Sequence, residues 1–193
     1  VLALAGCDVL QGAQPVAVLG GAVRVAPPAG YCIGQDQVRE DRDTAVVLIG
    51  RCLQGGSATP AVISVSVGHA GSAGVMLAGP EALGAFFASA QGRAMLARSG
   101  RAADVTVLGT AITDGAFLVH LADRKAGRYW RAILSADGRL ISVSAQGTAA
   151  APLTEPQSLA LVKATVLAVQ LANPPSAVTA PVIPADAAAP GQG

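Results

Sequence analysis

The chain has 193 residues, with 13 Lys+Arg against 12 Asp+Glu and a formal net charge of +1. That length suits one domain with tails rather than two full domains. The near-neutral balance argues against a nucleic-acid binder, which carries a basic excess on some segment. Charged residues make up 13% of the chain, where an average chain has roughly 25%. Hydrophobic residues make up 52% and aromatic residues 3%. Much of that apolar fraction is alanine, which buries little area per residue. The composition implies a small globular domain between Ala/Pro-rich ends.

Residues 1–7 read as apolar, then small, then cysteine. Leu4-Ala5-Gly6-Cys7 resembles the lipobox of bacterial lipoprotein signal peptides at all four positions. Small residues at Ala5 and Gly6 let an extended chain enter the peptidase. The resemblance implies a diacylglyceryl thioether on Cys7, cleavage just before it, and a new amino group open to acylation, palmitate included. Residues 1–7 are then the remnant of a signal peptide. The other reading is a buried N-terminal strand with an incidental cysteine. Two or three acyl chains anchor a protein firmly to a bilayer, where one chain binds only marginally. Asp8 resembles the residue that retains enteric lipoproteins in the inner membrane. No other run reaches ~18 uninterrupted apolar residues; the stretch from Leu159 to Ala172 is shorter and contains Lys163. The expected location is the periplasm, on a membrane through Cys7, with the inner membrane slightly favoured by Asp8.

Residues 8–22 are Gly, Ala, Gln and Pro with scattered valine and read as a flexible tether. Val23-Arg24-Val25 alternates and meets Pro27-Pro28, giving a short first strand. Cys32 and Cys52 flank strand-like segments. An even pair in an exported protein reads as a disulfide, which stabilises a loop of this length by about 3 kcal/mol. Two buried thiols, a redox pair or a zinc site with His69 and His120 are the rivals. Cys-x-x-Cys and local zinc-ligand spacing are both missing from the sequence. Gln35 to Asp43 mixes acids with arginines and reads as a solvated loop. Calcium is the sharper alternative, without the EF-hand ligand order.

Thr44 to Ile49 is an apolar strand. Ala61 to Val67 alternates, with Ile63, Val65 and Val67 facing a core and Ser64 and Ser66 facing out. Gly68 to Gly74 is a glycine-rich loop whose amides could cradle an anion. Gly79-Pro80-Glu81 opens a helix. Its apolar face runs through Leu83, Phe86, Phe87, Ala90 and Ala94, and Gly100 ends it. Asp104 to Leu108 is a strand. Asp114-Gly115 turns into Ala116 to Leu121, Lys125-Ala126-Gly127 into Tyr129 to Leu134, and Asp137-Gly138 into Leu140 to Ser144. These short connections predict an antiparallel meander. Thr154-x-x-Gln157 resembles a capping box before a last helix striped by Leu159, Val162, Val166 and Val169. Asn173-Pro174-Pro175 ends that helix, and residues 173–193 read as a disordered Pro/Ala-rich tail.

The expected fold is α+β: an antiparallel meander sheet of about six or seven strands with two helices packed on one face. A single domain spans residues 23–172. The element order is similar to the PsbP-like fold shared with small bacterial lipoproteins. Pro27-Pro28-Ala29-Gly30-Tyr31, Asp114-Gly115, Arg128-Tyr129-Trp130-Arg131 and Asp137-Gly138-Arg139-Leu140-Ile141 carry that likeness. It implies an accessory or binding domain and no particular chemistry.

The sequence has neither a Walker A loop nor H-E-x-x-H nor G-x-S-x-G, and the expectation is a non-catalytic protein without cofactor or metal. Candidate open-face binding residues are Ser64, Ser66, His120, Arg131, Ser142 and Ser144, assigned on strand phases that a one-residue slip would reverse. Tyr129 and Trp130 are adjacent and point to opposite faces, with Trp130 expected in the core. The expected role is a lipid-anchored accessory protein docking on a membrane or envelope protein partner. A small-ligand or metal binder is the alternative, and a small hydrolase is a third, with His120 or His69 hydrogen-bonded to a serine or carboxylate and Ser64 or Ser66 as the serine on the face of His120.

Overall fold

The computed structural model describes residues 13–53 and 57–175. The lipobox with Cys7, residues 8–12 of the tether and residues 176–193 of the tail lie outside the described residues. Eight strands form an antiparallel sheet. Its order is β3 (Tyr31–Cys32), β5 (Ala45–Arg51), β6 (Ala61–Val67), β10 (Arg139–Gly147), β9 (Gly127–Ala136), β8 (Ala116–Asp123) and β7 (Val105–Thr113). The eighth, β4 (Val38–Glu40), pairs with β5 beside β3. The segment expected as a solvated loop thus contains an edge strand. A separate hairpin joins β1 (Val16–Val18) to β2 (Val23–Val25). The stretch expected as tether therefore holds a strand, with Val18 buried.

Side-chain alternation gives the sheet two unlike faces. On one face lie Val47, Ile49, Ile63, Val65, Ile141 and Val143, all fully buried. α3 (Glu155–Ala172) covers this face with Val162, Val166 and Val169, and the β1–β2 hairpin adds Val18, Val23 and Val25. The other face is covered over β7, β8 and β9 by α1 (Gly79–Ala88) and α2 (Ala90–Leu96), which supply Leu83, Phe87 and Leu96. Phe87 stacks on Phe117 with ring centroids 5.9 Å apart.

The expectation of two helices on one face is corrected. The helices take opposite faces because β8 is apolar on both. Ala116, Phe117, Leu118 and Val119 are buried in succession. Phe117 and Val119 meet the α1/α2 side, and Ala116 and Leu118 meet the α3 side.

The single helix expected after Gly79 is broken at Ser89, where the helical run Ser72–Ala88, which ends in α1, meets α2 at 86°. Ser89 Oγ donates to Phe86 O and accepts from Gly92 N, so one hydroxyl ends α1 and caps α2. Gly92 is buried against that corner, and a Cβ there would lie 2.1 Å from Phe86 O. α3 starts on the reciprocal cap read from the sequence: Thr154 N donates to Gln157 Oε1, and Gln157 N to Thr154 Oγ1. Cys32 and Cys52 are disulfide-bonded, tying β3 to the end of β5.

Gly92→Ala should destabilise the domain by about 2–3 kcal/mol, because its methyl group meets backbone rather than a movable side chain. Urea unfolding measures this. A loss within about 0.5 kcal/mol, the ordinary scale of a surface change, would contradict the tight corner.

Candidate functional site

β9 divides the α1/α2 side of the sheet into two halves. Tyr129 and Ile133 are buried in the cluster under α1 and α2. Beyond them, β10, β6 and β5 present outward side chains that neither helix buries. Register aligns these in rows. Val46, Ser66 and Ser142 form one row, and Leu48, Ser64, Ser144 and Arg131 the next. Val62 and Gln146 follow. Val46 and Val62 are exposed, and the four serines are half-buried. Five of the six candidate residues therefore share one surface: Ser64, Ser66, Arg131, Ser142 and Ser144. The Arg131 guanidinium lies 6.0 Å from the centre of the Tyr129 ring and donates to its hydroxyl, with Nε buried and unpaired.

His120 does not belong to this surface. It pairs with Trp130 across β8 and β9, on the face that α3 covers. Its ring stacks on Trp130 at 4.5 Å and 6°, and Nε2 lies 3.0 Å from Glu155 Oε2 at the start of α3. That approach lacks hydrogen-bond alignment, and stacking on Trp130 holds the ring. Arg128 reaches the other oxygen of Glu155 at 3.4 Å. The assignment of His120 to the open face assumed that one face of β8 was bare, whereas both are covered. A Ser64–His120 or Ser66–His120 catalytic pair is excluded, because the sheet lies between the partners. Trp130 is part-buried on the same side, and its neighbour Tyr129 is the aromatic fully enclosed in a core.

The glycine-rich loop is tied down. Ser72 Oγ donates to His69 O and accepts from Leu140 N. Arg139 donates to Asp43 O and Gly68 O and pairs with the Asp43 carboxylate at 2.7 Å. Ser72, Ala73 and Gly74 amides bond to His69, Gly138 and Gly71 carbonyls. Those three amides are spent within the protein, so they form no anion nest. The His69 ring meets the Ala70 carbonyl at 2.9 Å.

The basic residues of the chain gather at the β8–β9 turn, which spacing alone did not indicate. Six of the 13 Lys+Arg fall between Arg98 and Arg131. Buried Asp104 gathers two of them, Arg101 at 2.8 Å and Arg124 at 3.5 Å. Three others, Arg98, Lys125 and Arg128, line a cleft of about 370 Å³ with Tyr129, Gln146 and Leu153. Arg98 Nη2 donates to Gln146 Oε1, which fixes the guanidinium at the cleft edge. Arg124, Lys125 and Arg128 lie close together in the sequence; the convergence of Arg98 with them needed the hairpin and α2 to be placed. Among the described residues, no cluster of three or more His, Cys, Asp or Glu side chains could hold a metal ion. Compared with known protein families, curated proteins and solved structures, the chain matches none.

The Asp104 carboxyl is held below its ordinary range, first by the Ser99 hydroxyl and then by Arg101. A carboxylate depressed in the folded state stabilises the fold above its unfolded pKa, and that contribution is lost as pH falls through the folded value. Stability should therefore decline as pH falls from about 5 down through the lowered folded value, and Asp104→Asn should flatten part of that decline while lowering stability at neutral pH. Urea midpoints across the range measure it. Parallel curves for the two proteins would remove Asp104 from the acid response.

Proposed function

We propose that this domain is the non-catalytic docking module of a lipid-anchored periplasmic lipoprotein. Its uncovered sheet face receives a protein partner in a membrane or envelope complex. One observation carries the docking half of this reading. Among the described residues no α-helix covers the outer surface of β5, β6 and β10, although it sets exposed Val46 and Val62 among half-buried serines. Apolar side chains left between hydroxyls on a flat sheet suit a protein surface better than solvent. The anchoring half rests on Leu4-Ala5-Gly6-Cys7. The disulfide fits an oxidising compartment and supports the same location. The PsbP-like likeness belongs to this proposal and rests on element order.

Two measurements test the two halves separately. Intact mass of protein extracted from native membranes should give a chain that starts at Cys7 and carries acyl mass. An unprocessed N-terminus would remove the anchor. A photo-reactive residue at Ser64 or Ser144 should crosslink to one discrete partner in those membranes. The same residue at Lys163, on the exposed side of α3, should not. Equal labelling from both positions, or none from the sheet, would remove the docking face.

A further inference from the structure

We infer that the cleft at the β8–β9 turn, which adjoins the serine face at Gln146, is a binding site for a phosphate ester. Its cations come from three different places in the chain. Arg98 follows α2, Lys125 sits in the β8–β9 turn, and Arg128 lies on β9. Among the described residues no acidic side chain lines the cleft. Among the described residues no carboxylate pairs with Arg98 or Lys125, and Arg128 holds Glu155 only at 3.4 Å. The neighbouring pair Arg101 and Arg124 are neutralised in part by Asp104, so the fold does supply acids at this end of the sheet. It leaves the cleft without one.

Arg98 and Lys125, two like charges without a carboxylate partner among the described residues, repel each other across the concavity until an anion enters. A planar guanidinium and a mobile ammonium together match a tetrahedral oxyanion, the first by forked donors and the second as a point charge. The bond from Arg98 to Gln146 leaves the rest of its fork free while fixing its direction. The walls also carry Pro152 and Leu153, which give an organic group an apolar surface. A volume of about 370 Å³ falls at the small end of the ~300–1,000 Å³ that ligand sites occupy. Such a site has room for a phosphate and a short organic portion. A soluble phosphomonoester and a phospholipid headgroup both have this chemistry.

Calorimetric titration of the whole chain with glycerol 3-phosphate tests the soluble source. Co-sedimentation with phosphatidylglycerol vesicles, against phosphatidylcholine vesicles, tests the headgroup. Arg98→Gln combined with Lys125→Gln should weaken whichever binding is seen by ~10-fold or more. Arg42→Gln, an exposed arginine in the β4–β5 turn, should stay within ~2-fold, as a remote charge screened by salt does. If the double variant fails to fold, Lys125→Gln on its exposed turn makes the same comparison. Binding of glycerol 3-phosphate lost in the cleft variant supports a soluble ligand. Binding to anionic vesicles alone, lost in the same variant, supports the headgroup. Absence of both, or an equal loss in Arg42→Gln, overturns the site.

Discussion

Seven registered residue pairs join β10 to β6, from Ile141 opposite Val67 to Gly147 opposite Ala61. They close a long excursion. The chain leaves β6, crosses the sheet through α1 and α2, runs β7 to β9 as a meander, and returns beside the strand it left. Without that pairing the molecule would be two smaller sheets, each with a raw edge. With it, Ile63, Val65, Ile141 and Val143 form one continuous apolar floor for α3. The same pairs fix the opposite surface. Ser66 must lie beside Ser142, and Ser64 beside Ser144. Core and candidate face are therefore one consequence of a single register, since a slip by one residue would exchange them.

That dependence explains which parts of the fold were legible in the sequence. The alternation Ala61–Val67, the Asp114-Gly115 and Asp137-Gly138 turns and the Thr154/Gln157 cap are local signals, and the structure contains each. Asp114 and Asp137 both adopt positive φ, as the first position of a tight hairpin turn requires. The four serines and Arg131 were placed on one face by alternation alone, and register put them there. What could not be read was the covering of each face. Ala116 to Val119 carries a large side chain in both directions, so periodicity could not say that two different helices claim it. His120 was misplaced for that reason, and its stacking on Trp130 needed β8 and β9 to be registered first.

The other misreadings share a cause. A helical stripe through Leu83, Phe86, Phe87, Ala90 and Ala94 continues across Ser89, yet the chain turns there. Side-chain pattern does not encode the turn; a serine that serves both helix ends and a glycine small enough to sit against Phe86 O do. Likewise Val16–Val18 lacked enough neighbours of its own kind to read as a strand. It is ordered by long-range contacts. The hairpin buries Val18, Val23 and Val25 against the core, and Asn173, at the end of α3, accepts from Arg24 N and donates to Arg24 O. Both cases are tertiary choices laid over weak local preferences.

The scarcity of charge gains a physical meaning from this arrangement. Arg131 is the charged side chain in the rows of the serine face, and it lies at the boundary beside Tyr129. The remaining polar groups in those rows are hydroxyls and one amide. Stripping water from an ionised side chain costs several kcal/mol, whereas a hydroxyl costs roughly 1–3 kcal/mol and recovers much of that in one hydrogen bond. A sheet face of Ser and Val can therefore be desolvated cheaply, while the basic end of the sheet, with Arg98 and Lys125 beside a concavity, cannot unless an anion enters with it. The two surfaces thus suit different occupants. The serine face favours a broad neutral contact, and the cleft a small charged one.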